Sequence, residues 1–154
     1  MLIDAINKLL KTKEFVLVAT SNLDAKPNVA PKLLIKIDRD FIYLADYVVG
    51  KTWQNLKVNP FASISFIDFE HLIGYQVNGS VDLLTSREEF DAILKDIKSR
   101  EVSLTVKRIV EGIQRGKKHS HFEFSFPKKG VVFKVKIEEV VEITSNGKVQ
   151  REKV

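Results

Sequence analysis

Cysteine is absent from the 154-residue chain, which excludes a disulfide framework, cysteine-ligated zinc, an iron–sulfur cluster and thiol catalysis. Histidine is scarce. Three residues, at positions 71, 119 and 121, leave little material for a metal site or a histidine-based triad. Long hydrophobic runs are missing too: Phe15-Val16-Leu17-Val18-Ala19, preceded by charged Asp4, Lys8, Lys11 and Glu14, is too short for a membrane span or a signal peptide. No repeat, linker or low-complexity tract interrupts the chain. A cytoplasmic setting and one domain over residues 1–154 are the expectation at this length. The 44% hydrophobic and 29% charged content matches a globular chain with a single core rather than a disordered one.

The net charge is +5, and the excess is unevenly placed. Residues 1–100 carry 13 Lys/Arg against 13 Asp/Glu, whereas residues 101–154 carry 12 against 7. A basic surface could attract nucleic acid or a phosphorylated ligand. Acidic residues interleave throughout and no long basic run occurs, so a solvated mixed-charge surface is the better expectation and nucleic-acid binding rests on charge alone.

Periodicity predicts the elements. Leu2, Ile6, Leu9 and Leu10 fall at helical spacing. Phe15–Thr20 reads as a strand ending in the turn-forming stretch Ser21–Pro27. Val29–Ile37 and Phe41–Ala45 are joined by only Asp38-Arg39-Asp40, a connection short enough to require antiparallel neighbours. Gly50–Val58 reads as a short helix stopped by Asn59-Pro60, with Trp53 and Leu56 pinning it. In Phe61–Ile67 the residues Ala62, Ile64 and Phe66 alternate with serines, as in a half-buried strand. Gly74–Thr85 is a strand with Gly79 a candidate bulge or close backbone approach. Ser86-Arg87-Glu88-Glu89 is a capping box opening a helix that buries Phe90, Ile93, Leu94 and Ile97. A second helix, about 101–115, is expected to bury Val102, Val106, Ile109, Val110 and Ile113, with Gly116 as its C-cap. Two strands finish the chain, one with Phe122, Phe124 and Phe126 on one face, the other with Val131, Phe133, Val135, Ile137, Val141 and Ile143 on one face. The pattern predicts an α+β, mainly β fold: a small antiparallel barrel of about six strands with flanking helices.

Ala45–Thr52 reads A-D-Y-V-V-G-K-T, which imitates the P-loop G-x-x-x-x-G-K-[ST] without its first glycine. Bulky Tyr47-Val48-Val49 does not suit a loop that wraps phosphate with backbone N–H groups. The hairpins make the sheet antiparallel, and one short crossover helix cannot build the parallel sheet of an NTPase. The local chemistry survives. Gly50-Lys51-Thr52 at a helix start offers N–H groups, the positive end of the dipole, an ammonium and a hydroxyl, suited to one terminal phosphate.

Several short segments then occur in order: Ala19-Thr20-Ser21, Pro27-Asn28-Val29-Ala30-Pro31-Lys32, Ile42-Tyr43-Leu44-Ala45-Asp46, Gly50-Lys51-Thr52, Asn55-Leu56, Asn59-Pro60 and Gly74-Tyr75-Gln76-Val77-Asn78-Gly79. Over roughly residues 13–85 the sequence resembles the pyridoxamine 5′-phosphate oxidase-like FMN-binding split barrels, a family of homodimeric flavoproteins. The resemblance implies a split barrel and bound FMN. It runs Ala30-Pro31-Lys32 along the isoalloxazine and ribityl edge, mainly through backbone groups, with the Lys32 side chain free to point elsewhere. Lys51 and Thr52 would hold the FMN phosphate, and Ala45 and Asp46 would flank the pocket. Gln76 and Asn78 would come from the next strand, of the same or of the partner subunit. FMN meets such a site with an anionic phosphate and carries the hydride or electrons itself, which agrees with a chain almost empty of conventional catalytic residues. A small-molecule electron donor or acceptor completes the reading, and no membrane partner is expected. The C-terminal arginine- and histidine-rich segment of true pyridoxamine phosphate oxidases has no counterpart in Ser145–Val154, so vitamin B6 oxidation is not implied. A non-catalytic barrel holding haem, a deazaflavin or a protein partner is the alternative. His119 and His121, at i and i+2 beside the basic Arg115-Gly116-Lys117-Lys118 turn, could ligate a metal or touch an anion, but no third ligand stands near.

Overall fold

The computed structural model describes residues 1–115 and 130–154. The expected Phe122/Phe124/Phe126 strand, His119 and His121 and the Gly116 cap lie outside the described residues.

Helix α1 (Leu2–Leu10) leads into strands β1 (Phe15–Ser21), β2 (Pro27–Asp38) and β3 (Phe41–Asp46), then helix α2 (Lys51–Val58). Strands β4 (Phe61–Asp68) and β5 (Ile73–Leu83), helix α3 (Arg87–Gln114) and strands β6 (Val131–Ile143) and β7 (Val149–Lys153) complete the described chain. The sheet order is β3-β2-β1-β4-β5-β6-β7, and β3 pairs again with β6. Six antiparallel strands therefore close a barrel and the seventh extends it from β6, an extra strand that periodicity did not predict. Closure leaves no free edge among the six strands.

Alternation fills the barrel as expected. Val16 and Val18 of β1, Ile42 and Leu44 of β3, and Ala62, Ile64 and Phe66 of β4 form one interior cluster with Tyr75 and Val77 of β5. Helix α1 adds Leu2, Ile3, Ile6 and Leu10, and α2 adds Leu56 with Trp53 packed beside it. The Trp53 ring sits 6.4 Å from that of Phe133. Glu152 of β7 accepts the Leu2 backbone N–H at 2.9 Å, supplying α1 with the side-chain cap its own N-terminus lacks.

Two expectations fail. The two helices are one, because Lys98-Ser99-Arg100-Glu101 contains no Gly or Pro to break the run. Ser86 Oγ does cap it, accepting the Glu89 N–H at 3.2 Å. Ile93, Ile97 and Leu104 of α3 pack on Leu33, Ile35, Ala45 and Val132, outside the barrel. At 100° per residue that orientation turns Val102, Val106, Ile109 and Val110 away from the sheet, and they are 46–65% exposed rather than buried. The Ile113 side chain lies outside the described residues.

The last long strand also fails to keep one face. Asn78 pairs with Glu139 but Gly79 pairs with Ile137, so Glu138 is an extra residue. This bulge, at the glycine expected to carry one, reverses the alternation. Val131, Phe133, Val135 and Ile137 point inward, then Val140 replaces the expected Val141 in the interior cluster. Ile143 is 43% exposed.

Candidate functional site

The start of α2 stands over one end of the barrel, on a layer of polar side chains. Thr20, at the end of β1, accepts a hydrogen bond from the Asn55 amide at 3.1 Å. Asn28, near the start of β2, donates its amide to Thr52 Oγ1 at 3.3 Å. Ser21 accepts from Asn59 at 3.0 Å. Thr20, Thr52 and Asn55 are all at least 95% buried, so these bonds replace lost hydration. Lys32 and Asp46 pair on the same inward face, four residues beyond Asn28 along β2: Nζ lies 2.6 Å from Oδ2, with the two side chains 5% and 16% exposed. The Lys32 side chain has turned inward, as the alternation of β2 requires.

Gly50 occupies the N-cap of α2 and no side chain caps it. A side chain at Gly50 would meet nothing within 4 Å, so open space lies beside the first turn. Lys51 is exposed there. Uncapped N–H groups, the helix dipole and a free ammonium converge on this space, which fits a phosphate monoester. Thr52 is buried beneath the helix start. Its hydroxyl accepts from Asn28 beneath the helix and keeps its own proton to donate.

Behind the helix start, Tyr47 donates its hydroxyl to Glu101 Oε1 of α3 at 3.4 Å. Burial, and then the Glu101 charge, push the Tyr47 phenol up to about 12, so it stays a donor and a neutral wall. Ala45 is buried beneath α3, which makes it a support of the loop.

A second group of expected residues lies on the outer face of the sheet. Register aligns Pro31 with Leu17, Leu17 with Ser65, and Ser65 with Gln76. Pro31 and Gln76 are thus three strand spacings apart, about 14 Å. Ala30 pairs with Val18 and shares the inward-facing side. A shallow cavity of about 240 Å³ opens on the outer face beside Phe15, Leu17, Pro31, Ile67 and Phe69. Phe15, Leu17, Val29, Phe61 and Ile67 are 39–60% exposed. Gln76 Nε2 donates to Ser63 Oγ at 2.8 Å and to Asn78 Oδ1 at 3.0 Å. Asn78 Nδ2 donates to Glu139 Oε2 at 2.7 Å.

Within one chain, therefore, Lys51 and Thr52 stand at the helix start, Lys32 and Asp46 pair on the inward face of β2 and β3, Gln76 and Asn78 gather on the outer face, and Pro31 stands apart from all of them. Sequence reasoning marked Thr20 and Asn55 as parts of resembling segments without giving them a site role, and missed Ser63, Glu139 and the Tyr47–Glu101 contact. These depend on strand register, for which no local pattern stands. Among the described residues no group of three or more His, Asp or Glu could hold a metal, and no helix is long and apolar enough to cross a membrane.

A family model described as pyridoxamine 5′-phosphate oxidase matches residues 2–143. No protein with a curated function matches the sequence. Solved structures share the fold. One is a general stress protein 26-related protein of the pyridoxinephosphate oxidase family from Clostridium acetobutylicum, 17% identical, with a TM-score of 0.71 over 99% of this chain and 94% of that one. A pyridoxamine 5′-phosphate oxidase-related, FMN-binding protein from Nostoc punctiforme is 12% identical, with a TM-score of 0.56 over 99% and 94%. A haem-binding protein from Mycobacterium smegmatis is also 12% identical, with a TM-score of 0.64 over 96% of this chain and 55% of that one. At these identities the likeness establishes the split barrel and nothing about ligand.

Proposed function

This chain belongs to the pyridoxamine 5′-phosphate oxidase family, and from that premise we propose that it is a homodimeric flavoprotein that binds FMN and transfers hydride or electrons between small molecules. The observation that carries the reading is the start of α2: an uncapped N-terminus at Gly50, open space beside it and an exposed Lys51. In this reading Lys51 and the first-turn N–H groups hold the FMN phosphate. Thr52 donates its remaining hydroxyl proton to the same oxygens, and the Lys32–Asp46 pair and Asn28 hold the helix start in place from below. Ala30 and Pro31 offer backbone groups along the ring and ribityl chain, and Ala45 backs the pocket.

FMN, when bound, supplies the redox chemistry. The chain's own contribution is binding, orientation and exclusion of water. The exposed apolar row Phe15, Leu17, Val29, Phe61 and Ile67 supports a second copy against this face, since contiguous apolar surface of this kind marks an interface. Gln76 and Asn78 would then face the partner's flavin.

The test is a titration of the purified protein with FMN, followed by flavin fluorescence and absorbance. Lys51→Ala removes a charge-assisted hydrogen bond and is expected to weaken binding about tenfold to a hundredfold. A protein that refuses FMN, or a Lys51→Ala variant with unchanged affinity, defeats the reading. Retention of haem instead would favour the non-catalytic alternative.

A further inference from the structure

The outer face carries a chain of polar contacts that begins far from the helix start. Arg151 of β7 places Nη1 3.1 Å from Glu139 Oε2 of β6. The same carboxylate oxygen accepts from Asn78 Nδ2 at 2.7 Å. Asn78 Oδ1 accepts from Gln76 Nε2 at 3.0 Å, and Gln76 Nε2 also donates to Ser63 Oγ at 2.8 Å.

Donor and acceptor roles fix the direction of every link. A guanidinium only donates and a carboxylate only accepts. The Asn78 group facing Glu139 must therefore be its NH2, which leaves its carbonyl oxygen facing Gln76. The Gln76 group facing that oxygen must in turn be its NH2, and this same nitrogen reaches Ser63. Both NH2 protons are then committed, and the Gln76 carbonyl oxygen is the group left for a ligand. Without Glu139, both amides could turn over and present a donor instead. Ion pair and amides act as one oriented unit across β4, β5, β6 and β7, and nothing in the local sequence around Gln76 announces it.

We propose that Glu139 and Arg151 are positioning residues that lock Gln76 with its carbonyl oxygen outward, so that the site selects a heterocycle presenting an N–H donor at its edge. The proposal rests on the flavin reading above and deepens it. The pyrimidine edge of a flavin or deazaflavin carries one such group, the imide N–H, between two carbonyls. A porphyrin periphery carries none, and its propionates are acceptors that would meet the Gln76 oxygen unfavourably. The relay thus separates two ligand classes that a split barrel could otherwise take.

Two measurements decide it. In the protein without added ligand, the Gln76 side-chain NH2 resonances in a nitrogen-15 spectrum are expected to show slowed hydrogen exchange. Glu139→Ala should abolish that protection and shift the resonances, whereas Glu139→Gln, which keeps an acceptor, should retain most of it. Unchanged Gln76 resonances in Glu139→Ala overturn the proposal, whether or not FMN binds. The second measurement compares FMN with FMN methylated at the imide nitrogen. Wild type should prefer FMN at least tenfold, and Glu139→Ala should reduce the preference below threefold with the folded-state spectrum intact. Arg151→Ala should act in the same direction and Arg151→Lys should restore the preference. Full preference retained in Glu139→Ala, or no preference in a wild type that binds both flavins, also overturns it. If wild type binds neither flavin, the reading of the function falls, while the Gln76 resonances still decide the positioning role.

Discussion

Lys32 and Asp46 form an ion pair inside the barrel end, Nζ to Oδ2 at 2.6 Å, with side chains 5% and 16% exposed. They come from neighbouring strands whose register pairs Leu33 with Ala45, so the contact is set by the β2–β3 hairpin. Asp46 is the last residue of β3, and the loop to the α2 start leaves from it. Removing one partner strands a charge in a largely dehydrated site. Lys32→Met is expected to cost about 3 kcal/mol of folding stability. The double change Lys32→Met with Asp46→Leu should recover most of it, because a well-packed apolar pair avoids desolvation altogether. Urea denaturation of the two variants checks this, and a double variant as unstable as the single one would refute it.

The buried Thr52 hydroxyl accepts from Asn28 at 3.3 Å. Thr52→Val preserves shape and removes the acceptor, leaving a part-buried amide unmatched. The expected loss is about 1–2 kcal/mol of stability. Affinity for FMN should fall less than in Lys51→Ala, since the valine variant keeps the ammonium and the helix dipole. Parallel denaturation and flavin titration separate the two effects. A Thr52→Val protein that binds FMN as weakly as Lys51→Ala would show the hydroxyl to be the main phosphate contact.

Legibility followed the range of the cause. Local alternation in Phe61–Ile67 and the helical spacing of Leu2, Ile6 and Leu10 were readable because each element carries its own buried face. The short Asp38-Arg39-Asp40 connection revealed an antiparallel hairpin, and Gly79 announced its bulge. What the bulge does to a partner strand was not readable: Glu138 is the extra residue, and only the pairing of β5 with β6 shows that Val140 joins the interior cluster while Val141, also fully buried, takes the opposite face. Helix α3 misled for a related reason. It has one apolar face at Ile93, Ile97 and Leu104 and another at Val102, Val106, Ile109 and Val110, and spacing alone does not say which meets the sheet. In the candidate site, Lys51 was visible as a helix-start cation. Thr20, Asn55 and Glu139 enter only through register and packing.

His71 Nδ1 and Asp68 Oδ2 lie 2.8 Å apart at the exposed β4–β5 turn. The hydrogen bond to Asp68, then its charge, raise the imidazole above its ordinary 6.5. The same bond to His71 lowers the Asp68 carboxyl below its ordinary 3.8. A raised histidine contributes stability that is complete below 6.5 and fades as pH rises through its folded value. A lowered carboxylate contributes stability present above 3.8 and lost as pH falls through its folded value. The pair therefore helps the turn most between these limits. A proton NMR titration should place His71 above 6.5, and Asp68→Asn should bring it back toward 6.5. A His71 midpoint unmoved by that substitution would deny the contact in solution.

Gly79 faces the backbone of β6 so closely that a Cβ built on it would overlap the Lys136 carbonyl oxygen. Backbone, unlike a side-chain tip, cannot swing aside, so Gly79→Ala must push β5 and β6 apart at the bulge. Those two strands share the longest ladder in the barrel, from Gly74–Ile143 to Leu83–Phe133. Separating them also disturbs Val77 and Val140, both fully buried, and displaces Asn78 from Glu139. The expected loss exceeds about 3 kcal/mol, in the range reserved for backbone strain and core disruption. A melting temperature within a degree or two of wild type would mean that the bulge relaxes freely. Where the variant does fold, the Asn78–Glu139 bond should be broken and the Gln76 amide released. Gly79→Ala should therefore lose the imide N–H preference in the same way as Glu139→Ala, although it touches neither residue's side-chain chemistry.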